Sequence, residues 1–186
     1  WDGTSWRTLG SGMNGSVSDL AVSGNDIYAV GDFTSAGGVS AYPVAKGNGT
    51  PWRSLGSGTN ATVSTIAISG TDVYAGGFFT TAGGLAANRI AKWNGTSWTP
   101  LGTGTTDAVH AIAISGADIY VGGRFANAGG VLASRIAKWD GTTWSALGSG
   151  VAWVSGSDPN LQVATIAISG SDVYVGGGFT KAGDAP

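Results

Sequence analysis

Cysteine is absent from the 186 residues, which excludes disulfides, thiolate metal sites and cysteine nucleophiles. Histidine occurs once, at His110, and no cluster has the ligand content of a zinc site or the spacing of a calcium loop. Charge is scarce, at 11% of residues with a net value of -2, and Lys and Arg never cluster. A phosphate backbone needs a positive stripe, so nucleic acid is excluded as an expected partner. No apolar run is long enough to span a bilayer, so membrane insertion is not expected either. No copy of the repeat described below carries a helical 3.6-residue pattern. No cofactor is implied by any of these residues.

What is present is one phrase, repeated. Trp1-Asp-Gly-Thr-Ser-Trp6 returns from Gly47 to Trp52, from Trp93 to Trp98 and from Trp139 to Trp144, a spacing of 46 each time. Between these phrases recur Leu-Gly-x-Gly, a Val-rich run ending in Ser-Gly, an Asp-Val/Ile-Tyr segment, Phe with Ala-Gly-Gly, and Ile-Ala-Lys. A period in this range marks supersecondary units too small to bury their own apolar faces, which must therefore stack. Low charge with 34 glycines can mean disorder, but eight tryptophans and ordered Val/Ile alternation argue for a folded β protein. The repeats run 1–46, 47–92, 93–138 and 139–186, the last incomplete.

In the second copy, Val63 to Ile68 reads as a strand covered on both sides, with Val63, Thr65 and Ala67 on one face and Ser64, Ile66 and Ile68 on the other. Ser69 to Asp72 is a hairpin signal, and Val73 to Gly77 the returning strand. Arg89 to Trp93 reads as a third strand, Asn94-Gly95 as a tight turn, and Ser97 to Leu101 as a fourth strand. Pro100, like Pro51 one copy earlier, suits an edge, where a missing N–H costs no ladder bond. Four antiparallel strands per roughly 45 residues is the blade of a β-propeller. The fold class expected is therefore all-β, a propeller-type array of four-stranded blades. Ile66, Ile68, Ile112, Ile114, Ile166 and Ile168 are its expected first-strand core. The chain opens in what reads as a fourth strand, Ser5 to Leu9, and stops two strands into its last blade. A piece of a larger ring or array, with open edges that favour association, is expected.

The order Tyr120-Val-Gly-Gly123, then Ile136 to Asp140, then Trp144-x-x-Leu147, resembles kelch-type propeller repeats, and the likeness spans essentially the whole chain. The aromatic-to-Trp turn is shorter than in intracellular kelch proteins, and Val30 stands where the first Gly of the pair is expected. Gly-Gly-x-Phe-Thr with Ile-Ala-Lys-Trp is similar to kelch-like arrays of secreted bacterial and fungal cell-surface proteins. That resemblance implies the fold and an extracellular or cell-surface location. The copper-radical oxidases among kelch relatives need a cysteine, which is missing here. The Trp-Asp/Asn-Gly-Thr-x-Trp turns partly resemble the Asp-box hairpin of sialidase-type propellers, which is itself a structural turn.

Most recurring residues read as structure. Trp6, Trp52, Trp98 and Trp144 could offer stacking platforms to sugars, but their recurrence favours wedges between blades. Trp1, Trp93 and Trp139 read as half-exposed lids. Asp2, Asn48, Asn94 and Asp140 are expected to cap Asx turns, and Asp26, Asp72, Asp118 and Asp172 to shape hairpins. Asn14, Asn48, Asn60 and Asn94 fit the glycosylation pattern, which Gly/Thr-rich turns also generate. His110 falls where other copies have Ser18, Ser64 and Ala164, and reads as a strand-start residue near solvent.

The departures from the repeat carry the functional reading. Four residues separate Gly104 from Val109, but twelve separate Gly150 from Val163. This enlarged loop holds Trp153, Asp158 and Asn160. It is expected to share a rim with the variable residues after Gly-Gly, which are Asp32, Phe78 and Arg124, with Gly178 in the fourth copy. The insertion is either a binding loop on a rigid scaffold or neutral. The first function reading is a non-catalytic binding or adhesion module taking a protein or glycan at this rim. The second is a structural segment of a filamentous or cell-surface assembly that self-associates through blade edges. The third, the scaffold of a glycan-processing enzyme, has no catalytic constellation behind it. Fold alone does not choose among them.

Overall fold

The computed structural model describes residues 2–48, 51–153 and 160–183. Those residues are all-β. Blade one comprises Ser16–Ser23, Asp26–Asp32, Val44–Gly47 and Arg53–Ser54, laddered in that order. Blade two comprises Val63–Ser69, Asp72–Gly77, Ile90–Trp93 and Trp98–Pro100, and blade three Val109–Ser115, Asp118–Gly123, Ile136–Trp139 and Trp144–Ala146. Blade four has two paired strands among the described residues, Gln162–Ser169 and Asp172–Gly178. All pairings are antiparallel, and Pro100 lies on the outer edge strand of blade two, as its missing N–H requires.

First strands of consecutive blades stand side by side, from blade one through blade four. Among the described residues blade four does not pack back on blade one as consecutive blades do, and the blades form an open array. Ser5 to Leu9, expected as a strand, is not one. A fourth strand forms by laddering onto a third, and no third strand stands beside this segment among the described residues. For the same reason it does not complete blade four.

The first strands hold a feature that strict alternation misses. Each carries a bulge, between Val17 and Asp19, Val63 and Thr65, Val109 and Ala111, and Val163 and Thr165. One extra residue reverses the alternation. Val63 therefore shares a face and a core cluster with Ile66 and Ile68, rather than with Thr65 and Ala67. Ile66 is buried, while Ile68, Ile112, Ile114, Ile166 and Ile168 are half-buried.

The bulge also explains Gly-Gly. A Cβ on the second glycine, at Gly77 or Gly123, would collide with the carbonyl oxygen of Thr62 or Ala108 across the bulge. A Cβ on the first, at Gly76 or Gly122, would strike Val109 or Val163 of the next blade. One glycine lets two strands approach, and the other lets two blades approach.

Three of the repeat tryptophans are wedges. Trp52, Trp98 and Trp144 are buried, and each indole Nε1–H donates to the carbonyl 43 residues earlier: Leu9 at 3.1 Å, Leu55 at 2.7 Å and Leu101 at 2.9 Å. Burying such a ring is stabilising only when its N–H finds an acceptor, and the Leu-Gly-x-Gly turn supplies one. Trp6, with no preceding repeat before it in the described chain, is 83% exposed. Trp93 and Trp139 are half-buried and tilt over Trp98 and Trp144, at centroid distances of 5.6 and 5.4 Å.

Candidate functional site

Two kinds of loop meet on one rim. Between second and third strands lies a short hairpin, such as Ser35–Ala36 with Val39–Ser40. The linker entering each blade bridges to it, through Met13–Ala36, Thr59–Ala82 and Thr105–Ala128. In blade four the bridge grows into paired strands, Val151–Ala152 with Lys181–Ala182. The enlarged loop therefore leaves from the rim that also carries the residues following Gly-Gly.

Asn160 lies 20 residues before Thr180, as Asn14 lies before Thr34 and Asn60 before Thr80. That arithmetic makes residues 152–159 the eight extra ones and returns Asn160 to the repeat. In blades one and two this asparagine is a staple. Asn60 Oδ1 accepts the Thr80 and Thr81 N–H at 2.9 and 3.0 Å while its Nδ2 donates to Thr80 Oγ1 at 2.9 Å; Asn14 does the same for Thr34 and Ser35. The sequon asparagines Asn14 and Asn60 thus hold loops together. Asn160 is exposed, with its carbonyl oxygen against Gly178. Trp153 is half-buried, and Asp158 lies outside the described residues.

The rim residues that meet are Phe78, His110 and Arg124. His110 is the bulged residue of the first strand of blade three, and the bulge turns its ring out of the ladder. It packs edge-on against Phe78 of blade two, centroids 5.6 Å apart, and Phe78 keeps 44% of its surface exposed. Arg124, exposed, follows the Gly-Gly of blade three, where its backbone N–H donates to Ala108 O at 2.9 Å. Nε2 of His110 is buried and has no hydrogen-bond partner among the described residues. Burial, then the nearby Arg124 charge, pushes the His110 pKa below its ordinary 6.5, and Asp107 only partly offsets this. Asp32 is exposed at the end of the second strand of blade one, and none of the described contacts ties it to this cluster.

Sequence reading missed His110 because two-residue alternation does not show a bulge. The usable signal was its position, one residue beyond Val109, the valine that Gly76 of the preceding blade accommodates. A pH effect follows. The folded chain binds the His110 proton less tightly than the unfolded chain, so this group contributes stability above about pH 6.5 and loses it as pH falls through and below that value. His110→Ala is expected to flatten the melting temperature between pH 7 and 5; an unchanged slope would remove His110 as its source.

The other recurring polar residues are accounted for structurally. Asp2, Asn94 and Asp140 each accept two backbone N–H groups in Asx turns, for example Thr142 at 2.8 Å and Thr143 at 2.7 Å on Asp140 Oδ1. These bonds, Thr143 first, hold the Asp140 carboxyl well below the usual carboxylate range. The turn at Asn48 runs into residues 49–50, outside the described residues. Beyond turning hairpins, Asp26, Asp72 and Asp118 pair with Lys46, Lys92 and Lys138 on the third strand at 2.7, 3.0 and 3.0 Å. Their shared spacing of 20 residues was visible in the sequence. Arg89 and Arg135 adopt left-handed backbone, φ 67° and 69°, and their guanidinium groups donate to Phe78 and Phe125 carbonyls. Among the described residues no group of three or more acidic or histidine side chains could hold a metal ion.

No family model matches the sequence, and no curated protein matches it either. Solved structures do. The computationally designed Ika4 protein aligns over 94% of both chains with a TM-score of 0.56 at 16% identity. The computationally designed Ika8 protein aligns over 90% of this chain and 45% of its own, with a TM-score of 0.52 at 14% identity. At such identities the likeness shows the fold, a repeated array of propeller-type blades.

Proposed function

We propose that this chain is a non-catalytic binding module of the extracellular space or cell surface, of kelch-like type, whose rim takes an acidic glycan. The observation that carries the reading is the buried Nε2 of His110, which lacks a partner among the described residues although it sits beside an exposed aromatic ring. Buried polar atoms are paired in the great majority of cases, and one left unpaired beside an exposed ring at a loop rim marks where a small shift of the rim would admit a ligand atom. Phe78 offers an apolar face to a pyranose, Arg124 a cation to its carboxylate, and neutral His110 a hydrogen bond. Asp32 and Trp153 are proposed as outer contacts, with Asp158 in the same loop.

A glycan array tests this. Wild-type chain is expected to select carboxylated sugars, and Phe78→Ala or Arg124→Ala to lose at least tenfold in affinity with unchanged melting. An array without carboxylated hits, or variants that bind like wild type, would contradict it. The exposed terminal faces of the array favour a second reading, a structural segment that assembles through its blades.

A further inference from the structure

Blade three lacks the loop staple of blades one and two, and a polar cleft opens beside the place where it is missing. In those blades the asparagine of the entering linker, Asn14 or Asn60, donates through Nδ2 to Thr34 or Thr80 Oγ1 of the hairpin. Blade three carries Thr106 and Ala126 at these two positions. Thr106 Oγ1 still accepts the Ala126 and Asn127 N–H groups, at 3.2 and 3.1 Å, so linker and hairpin stay joined. What goes is the amide and the hydroxyl that bridged them.

The cleft has a volume of about 390 Å³, within the range of small-ligand pockets, and is lined by Asn88, Arg89, Thr103, Thr106 and Asn127 together with backbone of the same loops. Two further departures from the repeat fall on its walls. Asn88 stands where Tyr42 does one copy earlier, and Asn127 replaces Ser35 and Thr81. Asn88 Nδ2 donates to Thr103 O at 2.9 Å, which leaves its Oδ1 open to the cleft. The Asn127 amide and the Thr103 hydroxyl have no partner among the described residues. Donors and acceptors thus stand side by side, and no aromatic or large apolar side chain lines the cleft.

Arg89 joins this cleft to the rim cluster. Its guanidinium donates to the Phe78 carbonyl, and its backbone is held left-handed at φ 67°, a conformation that costs free energy in any residue but glycine. Arg135 repeats the conformation one blade on, but its Nε donates to Leu161 O at 3.4 Å. The matching carbonyl ahead of blade three, Asp107 O, accepts Thr105 Oγ1 at 2.8 Å instead. Arg89 Nε is therefore left without a partner among the described residues.

We infer that this cleft is a subsite for a neutral sugar, the unit next to the carboxylated one in the glycan that the rim takes. A hydroxyl both donates and accepts, so neighbouring hydroxyls satisfy Asn88 Oδ1 while accepting from Asn127 Nδ2 and Arg89. A carboxylate there would face the asparagine oxygens, acceptor against acceptor. The inference rests on the acidic-glycan reading above and extends it from one sugar to two.

Calorimetric titration of the 186-residue chain with glucuronic acid, and with glucuronic acid joined through its anomeric oxygen to O3 or O4 of glucose, tests it. One of the two disaccharides is expected to bind at least tenfold more tightly than glucuronic acid alone. Asn127→Ala is expected to abolish that gain while leaving melting and the affinity for glucuronic acid unchanged, since the side chain makes no internal bond. Thr106→Asn combined with Ala126→Thr rebuilds the staple of blades one and two, and should abolish the gain without lowering the melting temperature. Disaccharides that bind no more tightly than glucuronic acid, or a gain that survives both variants, would overturn the subsite and leave the rim reading intact. Binding that ignores Arg124→Ala but falls tenfold in Asn127→Ala would overturn the rim reading and support the cleft as a sugar site in its own right. A chain that binds none of the three sugars overturns both.

Discussion

Trp98→Ala is expected to destabilise the chain by about 3–5 kcal/mol in chemical denaturation. The side chain is buried, packs against Trp93, and ties the outer strand of blade two to the turn that enters that blade, through Leu55 O at 2.7 Å. Truncation opens a cavity and strips the Leu55 carbonyl of one of its two donors, the other being Gly58 N–H. Trp6→Ala removes the same residue from the same phrase, yet should change stability by less than about 0.5 kcal/mol, as surface substitutions do. Equal effects from the two would show that the tryptophans are not interblade wedges.

Gly123→Ala is expected to cost about 3 kcal/mol, the upper part of the overpacking range. Its new Cβ would meet the carbonyl oxygen of Ala108 and lie 3.0 Å from Val109 Cα, both backbone atoms of the bulge that cannot swing aside. Gly176→Ala is the informative contrast. Its Cβ would meet only the Thr165 methyl at 3.0 Å, and no blade covers that face among the described residues. A cost under about 1 kcal/mol is expected there. If Gly123→Ala is tolerated as well, the bulge is not the reason for the Gly-Gly pair.

These two residues also show what the sequence disclosed. The 46-residue period, the strand order and the hairpins were legible because turn chemistry and apolar alternation are local properties, and Trp52, Trp98 and Trp144 behave as their recurrence implied. The bulges were not legible. A bulge adds no distinctive residue to its own strand; its trace is the glycine opposite, on the partner strand, and so it is a property of the pair. Missing it misassigned Val63 to a face and left His110 as a residue near solvent. Ser5 to Leu9 failed for a related reason, because a strand pattern needs a neighbour to become a strand. The Asp–Lys pairs were legible in principle, as two recurrences held 20 residues apart.

The most direct test of the binding rim uses the fact that His110 is the only histidine, so its ring gives a single set of proton and nitrogen resonances. At pH 7, titration with glucuronic acid is expected to shift those resonances saturably, and the shift should vanish in Arg124→Ala. Resonances that stay fixed throughout the titration, or that move identically in Arg124→Ala, would contradict a ligand seated between Phe78, His110 and Arg124.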